Sequence, residues 1–131
     1  KPETFNNHTA ISLLVNTMPD LKVKWGNYIK DNYPDKNAER NDYIDISEIS
    51  RHILHRIKAN NTTNFKEFFI ALENIFHNCM FHTQELMIIG FMESLQNICG
   101  WEEINYHKGF DQWLLPTSKK HWQELIKYWE E

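Results

Sequence analysis

Glu85-Leu-Met-Ile-Ile-Gly-Phe-Met-Glu-Ser-Leu-Gln-Asn-Ile98 is the stretch whose reading decides the fold. Leu86, Met87, Ile88, Ile89, Phe91, Met92, Leu95 and Ile98 leave it almost no polar side. A helix that is apolar all round belongs at the centre of a bundle. Thr83 is expected to cap this helix and Gly100 to end it. Gly90 costs about 1 kcal/mol against alanine in mid-helix, so a neighbouring helix is expected to approach closely there. The uncharged run Leu86 to Met92 covers about a third of a bilayer span, so the stretch reads as a core helix and not as a membrane span.

Helical punctuation continues on both sides. Apolar residues recur at three and four, not at two, and no Asn-Gly or Asp-Gly hairpin joins β-branched runs. Ile11, Leu14, Val15 and Met18 predict a first helix from about His8 to Met18. Pro19 opens a second as a first-turn proline, with Leu21, Trp25 and Ile29 spaced by four, ending before Pro34. Pro34 to Asp42 reads as a long exposed loop. Asp45 with Glu48 reads as a capping box for a third helix carrying Ile46, Ile49, Ile53 and Ile57. Asn64 with Glu67 caps a fourth, with Phe65, Phe68, Phe69, Leu72, Ile75 and Phe76. Phe110 to Leu115 forms a short helical turn, and Thr117 caps a last helix with Trp122, Leu125, Ile126 and Trp129. The expectation is an all-α, single-domain irregular bundle of about six helices over residues 1–131, around a central apolar helix near 84–98.

Bulk properties narrow the function classes. The 131 residues are 41% hydrophobic and 14% aromatic, enough for a real core and too apolar for a disordered chain. A net charge of −4 is a poor footprint for direct nucleic-acid binding. Cys79 and Cys99 lie in apolar segments and read as reduced, buried side chains. No leader is visible, and the chain is expected to be cytoplasmic.

No pattern carries catalysis. His52 and His55 share a helix face, but no third ligand or HExxH accompanies them. His77, Cys79 and His82 lack the CxxC of a zinc site. Glu85 and Glu93 carry no mark of a paired-carboxylate site, and the four glycines are not clustered around a phosphate. No enzyme activity, metal or cofactor is therefore expected. An enzyme would need a deep pocket gathering His52, His55, His77, His82 and Glu93.

Charge patterning is more informative. Between Glu67 and His107 stand six acids and no Lys or Arg. Asp35, Glu39, Asp42, Asp45 and Glu48 add five more against Lys36 and Arg40. Bases gather at Lys22, Lys24 and Lys30, and again at Arg51, Arg56, Lys58 and Lys66. An acidic face of this kind steers a basic partner. Trp101, Tyr106, Phe110, Trp113, Trp122, Tyr128 and Trp129 crowd the final third and read mostly as core. An exposed Trp101 beside Glu102 and Glu103 would be an interface anchor.

Two stretches carry a resemblance. Glu85 to Asn97, and Trp113-Leu-Leu-Pro-Thr-Ser-Lys-Lys-His-Trp-Gln-Glu-Leu-Ile-Lys-Tyr-Trp129, resemble the central and C-terminal helices of a small helical bacterial family of unknown function. Leu13 to Ile29 fits it more loosely, and Leu115 stands where that family usually has glycine before the proline. Its members look like immunity proteins of contact-dependent or polymorphic toxin systems. The resemblance implies a cytoplasmic inhibitor that occludes the active site of one cognate toxin, a basic nuclease being one possibility, and it brings no catalytic residues. The expected partner-binding residues are Asp42, Asp45, Glu48, Glu85, Glu93, Trp101, Glu102 and Glu103. The alternative is a helical scaffold or regulatory interaction domain with a different partner. The oligomeric state is left open.

Overall fold

The structure, a computed structural model, describes residues 4–130. Four helices come first: α1 (Asn7–Val15), α2 (Pro19–Asn32), α3 (Asp42–Lys58) and α4 (Phe65–Asn78). Then α5 (Phe81–Glu85), a π-helical stretch (Leu86–Glu93) and α6 (Ser94–Trp101) follow without a break and make one rod. After a run of turns, α7 (Pro116–Glu130) ends the bundle. The described residues thus form six helical rods, and the fold is all-α. No helix among them is long and apolar enough to cross a membrane.

The rod occupies the centre, as its composition requires. Leu86, Met87, Phe91, Met92, Leu95 and Cys99 are buried in it. α3 lies along it with Ile46, Ile49 and Ile53 fully buried. Gly90 permits that approach: a Cβ there would stand 2.7 Å from Ile46 Cγ2 and 3.0 Å from Leu86 Cδ1. One residue on, the hydroxyl of Ser50 donates to the Phe91 carbonyl at 2.8 Å, a buried bond between α3 and the π stretch. The π winding itself is not readable from apolar spacings of three and four. Phe65, Phe68, Phe69, Phe91, Phe110 and Trp122 fill the interior, with ring centroids 5.2 Å apart for Phe68–Phe69 and for Phe110–Trp122. Each such side chain contributes about 1.5–3 kcal/mol of burial.

Several helix ends are held by other means than the sequence suggests. Asn6 caps α1, accepting the N–H of Thr9 at 2.9 Å. α3 starts at Asp42 with Asn41 as its cap, so Asp45 and Glu48 are interior and form no capping box. Asn64 does occupy the cap position of α4, but its φ is 67° and its side chain caps nothing. Thr83 lies inside α5, buried, and donates to Asn7 Oδ1 at 2.7 Å. Gly100 lies in the last turn of the rod, and Glu103 takes the left-handed position at φ 58°. The bonds Ile104 N–H to Cys99 O and Glu103 N–H to Gly100 O complete a Schellman motif there. Asn60, at φ 54°, ends α3 in the same way.

Two polar networks tie the periphery to the core. Asp45 is fully buried, and its carboxylate accepts from Tyr28 Oη at 2.7 Å, Tyr33 Oη at 2.8 Å and Arg40 Nε at 3.4 Å. Burial and this carboxylate push the Tyr28 phenol well above its usual range. The buried Arg56 donates to Asp20 at 3.0 Å, to the Asn61 carbonyl at 2.9 Å and to the Thr63 carbonyl. His52 Nε2 meets the same Asp20 carboxylate at 2.9 Å. Ahead of α1, Phe5 pairs with the α4–α5 joint: its N–H donates to the Asn78 carbonyl, and its carbonyl accepts from Met80. Asn7, which accepts from Thr83, also donates to Asp42 Oδ2 at 3.0 Å.

Candidate functional site

α7 is amphipathic, with Ser118, Trp122 and Leu125 buried. Its first turn is anchored by Glu73 of α4, whose carboxylate accepts from Thr117 N–H at 3.0 Å, Ser118 N–H at 2.9 Å and Ser118 Oγ at 2.8 Å. Burial opposes ionisation of Glu73, but these bonds win and hold its pKa at about 2. Thr117 therefore does not cap the helix; a carboxylate from another helix does. Further along, Trp122 Nε1 donates to the Tyr106 carbonyl at 2.8 Å, and Gln96 Nε2 donates to the Trp122 carbonyl at 3.0 Å. These bonds fix the register of α7 against the rod.

That register creates a groove. Ile89, Glu93, Asn97 and Trp101 recur every four residues and line one face of the rod. Tyr128 and Trp129 of α7 stand beside them. One depression of about 320 Å³ is lined by Ile89, Glu93, Leu125, Tyr128 and Trp129. A second of about 230 Å³ is lined by Gln96, Asn97, Gly100, Trp101, Tyr106 and Trp129. Trp129 is shared, so the two form one continuous surface. Trp101 is 82% exposed, Tyr128 70% and Trp129 50%. Large aromatic side chains left this open are the usual anchors of an interface.

The groove is electrostatically one-sided. Among the described residues no Lys or Arg lines either depression. Glu93 lies within it, and Glu130 accepts from Tyr106 Oη at 3.2 Å and stands 2.7 Å from His107 Nε2. Burial and that carboxylate raise the Tyr106 phenol above its usual pKa. Glu102 follows Trp101 and pairs with Lys58 at 3.1 Å.

The sequence-predicted residues do not all meet here. Glu93 and Trp101 do, with Glu102 next to them. Glu103 is exposed and serves the rod's end. Glu85 is exposed and lies near Tyr43, whose phenol burial and that charge raise. Asp42 and Glu48 line separate hollows around Trp25, with Glu48 paired to Arg51. Asp45 is withdrawn entirely, because it is buried and Tyr28, Tyr33 and Arg40 consume its oxygens. Of the aromatics read as core, Phe110 and Trp122 are buried, whereas Trp101, Tyr128 and Trp129 are exposed. Gln96, Tyr106, Tyr128, Trp129 and Glu130 complete the groove without having been singled out as site residues. The four-residue stripe 89–93–97–101 was the signal that could have found the rod's half of it.

The histidines do not converge. His52 faces Asp20, His77 faces Glu73 at 3.1 Å, and His55 and His82 are exposed. Among the described residues no group of three or more His, Cys, Asp or Glu side chains could hold a metal ion. Cys79 and Cys99 are free, and burial pushes the Cys99 thiol up to about 12.

No curated protein and no solved structure matches the chain. A family match spans residues 11–130, nearly the whole bundle including the rod and α7. The chain thus belongs to the family described as a domain of unknown function, DUF7674.

Proposed function

We propose that this protein works by binding another protein through the groove between the rod and α7, as an immunity protein that neutralises a basic toxin. The observation that carries the reading is the groove's combination of exposed Trp101, Tyr128 and Trp129 with the Glu93 carboxylate and, among the described residues, no lining Lys or Arg. Burying those rings against a partner recovers apolar area at about 25 cal/mol per Å². The acids Glu93, Glu102 and Glu130 speed the approach of a positively charged surface and reject an acidic one. A toxin whose substrate is anionic carries such a surface around its active site. The inhibitor role follows the resemblance of the central and last helices to a family whose members look like immunity proteins. The groove supports the protein-binding part of the reading.

The test is co-expression with the protein encoded directly beside this chain in its source genome. A stoichiometric complex on gel filtration, and growth rescue when that neighbour is toxic, are expected. The E93K/W101A/W129A variant should weaken the complex by more than tenfold, given anchors worth 2 kcal/mol or more each by order of magnitude. A complex indifferent to that variant overturns the groove as the docking surface. A toxic neighbour that this chain neither binds nor restrains overturns the immunity role.

A further inference from the structure

We propose that the smaller depression is a receptor for one arginine side chain of the partner, with Trp101, Tyr106 and Trp129 around the guanidinium and the Gln96 carbonyl oxygen as its acceptor. The proposal deepens the docking reading above and rests on it. Gln96 is 2% exposed and lines the depression. Its amide orientation is fixed, because the nitrogen must donate to the Trp122 carbonyl. The oxygen Oε1 is therefore the free end, buried with no hydrogen-bond partner. A buried acceptor left unpaired costs about 1–3 kcal/mol, and a donor brought into the depression removes that cost.

The surroundings select the donor. The indoles of Trp101 and Trp129 and the phenol of Tyr106 offer π faces that attract a cation. The Glu130 carboxylate, which accepts from Tyr106 Oη and stands 2.7 Å from His107 Nε2, adds negative charge behind the Tyr106 ring. An anionic ligand gains nothing from this set, and an aliphatic one leaves Gln96 Oε1 unpaired. A guanidinium is planar, stacks on aromatic rings and presents five donors, so one N–H reaches Oε1 while others face Glu130. An ammonium is a compact, strongly hydrated charge that cannot stack.

The test is a two-dimensional ¹H–¹⁵N NMR titration of the whole chain with N-acetyl-arginine amide, with the lysine and glutamate analogues for comparison. Saturable shifts of the Gln96 side-chain amide and of the Trp101 and Trp129 indole N–H signals are expected with the arginine probe. The glutamate probe should leave them still, and lysine should bind several-fold more weakly. Trp101→Ala, at an exposed position, should weaken the arginine probe on the order of fivefold. Gln96→Met should do so by a similar factor while leaving the Trp101 indole responsive. Shifts located elsewhere, no saturable response, or equal responses to arginine and lysine overturn the receptor. Docking of the neighbouring protein without these shifts also overturns the receptor alone. Shifts without docking overturn the docking reading and leave the receptor standing.

Discussion

Glu73 sits in the middle of α4, yet its oxygens hold the first turn of α7. Its pKa falls from 4.5 to about 2 on folding, so the unfolded chain takes up the proton first as the solution is acidified. The stabilisation is complete above pH 4.5 and is lost as pH falls toward 2. Glu73→Gln should cost about 2–3 kcal/mol at pH 7, and much less at pH 3, in urea titrations at the two values. Nothing local announces this cap, because the carboxylate and its donors lie 44 and 45 residues apart. Gly90 is the opposite case. A helix-breaking residue inside the most apolar stretch already pointed to a close neighbour, and Ile46 is that neighbour. Gly90→Ala gains about 1 kcal/mol of helix propensity but drives a methyl into the immobile Cγ2 of a buried Ile46. A net loss of about 1–2 kcal/mol is expected from the denaturation midpoint. No change, or a gain, would mean that α3 retreats freely.

At the scale of the element, the existence of every helix was legible from spacing, and the ends were not. Thr83, Thr117, Asp45 and Gly100 are the residue types that cap or stop helices in general, but each is engaged elsewhere. The positions that end α3 and the rod belong to Asn60 and Glu103, both left-handed, a geometry that asparagine adopts readily and glutamate only with strain. Glu103→Gly relieves that strain and loses some unfolded-state advantage, for a net stabilisation of about 0.5 kcal/mol in thermal unfolding. The α2–α3 contact depends instead on charge. Burial lowers the His52 pKa below 6.5, against the pull of Asp20. The neutral ring donates Nε2–H to Asp20 and leaves Nδ1 buried and unpartnered. Protonation would add an orphan donor at Nδ1. Stability is therefore full above pH 6.5 and declines as pH falls below it, where the unfolded chain protonates first. That slope should vanish in His52→Phe, measured between pH 7 and pH 5. The π stretch had no signature at all, since a repeat of five is invisible when the first seven positions, Leu86 to Met92, carry no polar side chain.

At the scale of the whole molecule, the acid-rich segment was legible as charge but not as shape. The acids divide between the groove, the hollows around Trp25 and the core, according to helix phases that only packing sets. Glu93 and Trp101 were recoverable because both lie on the rod. Trp129 and Gln96 required the register of α7, which rests on the Trp122 bonds. Because Trp101 touches water over most of its surface, Trp101→Ala should leave the unfolding free energy, read from thermal denaturation, within about 0.5 kcal/mol of the parent. A large drop would make that ring part of the core. The joint in front of α1 has its own consequence. Phe5 and Asn7 together hold the end of α4, the start of α5 and the start of α3. The family match begins only at residue 11, so a fragment trimmed to it keeps all of the buried core but Ala10 and loses the first turn of α1 with this fastening. Such a fragment should fold but breathe at one corner. Deuterium would enter the Met80 amide, whose acceptor is gone, far sooner than it enters Phe91 or Met92 at the heart of the rod.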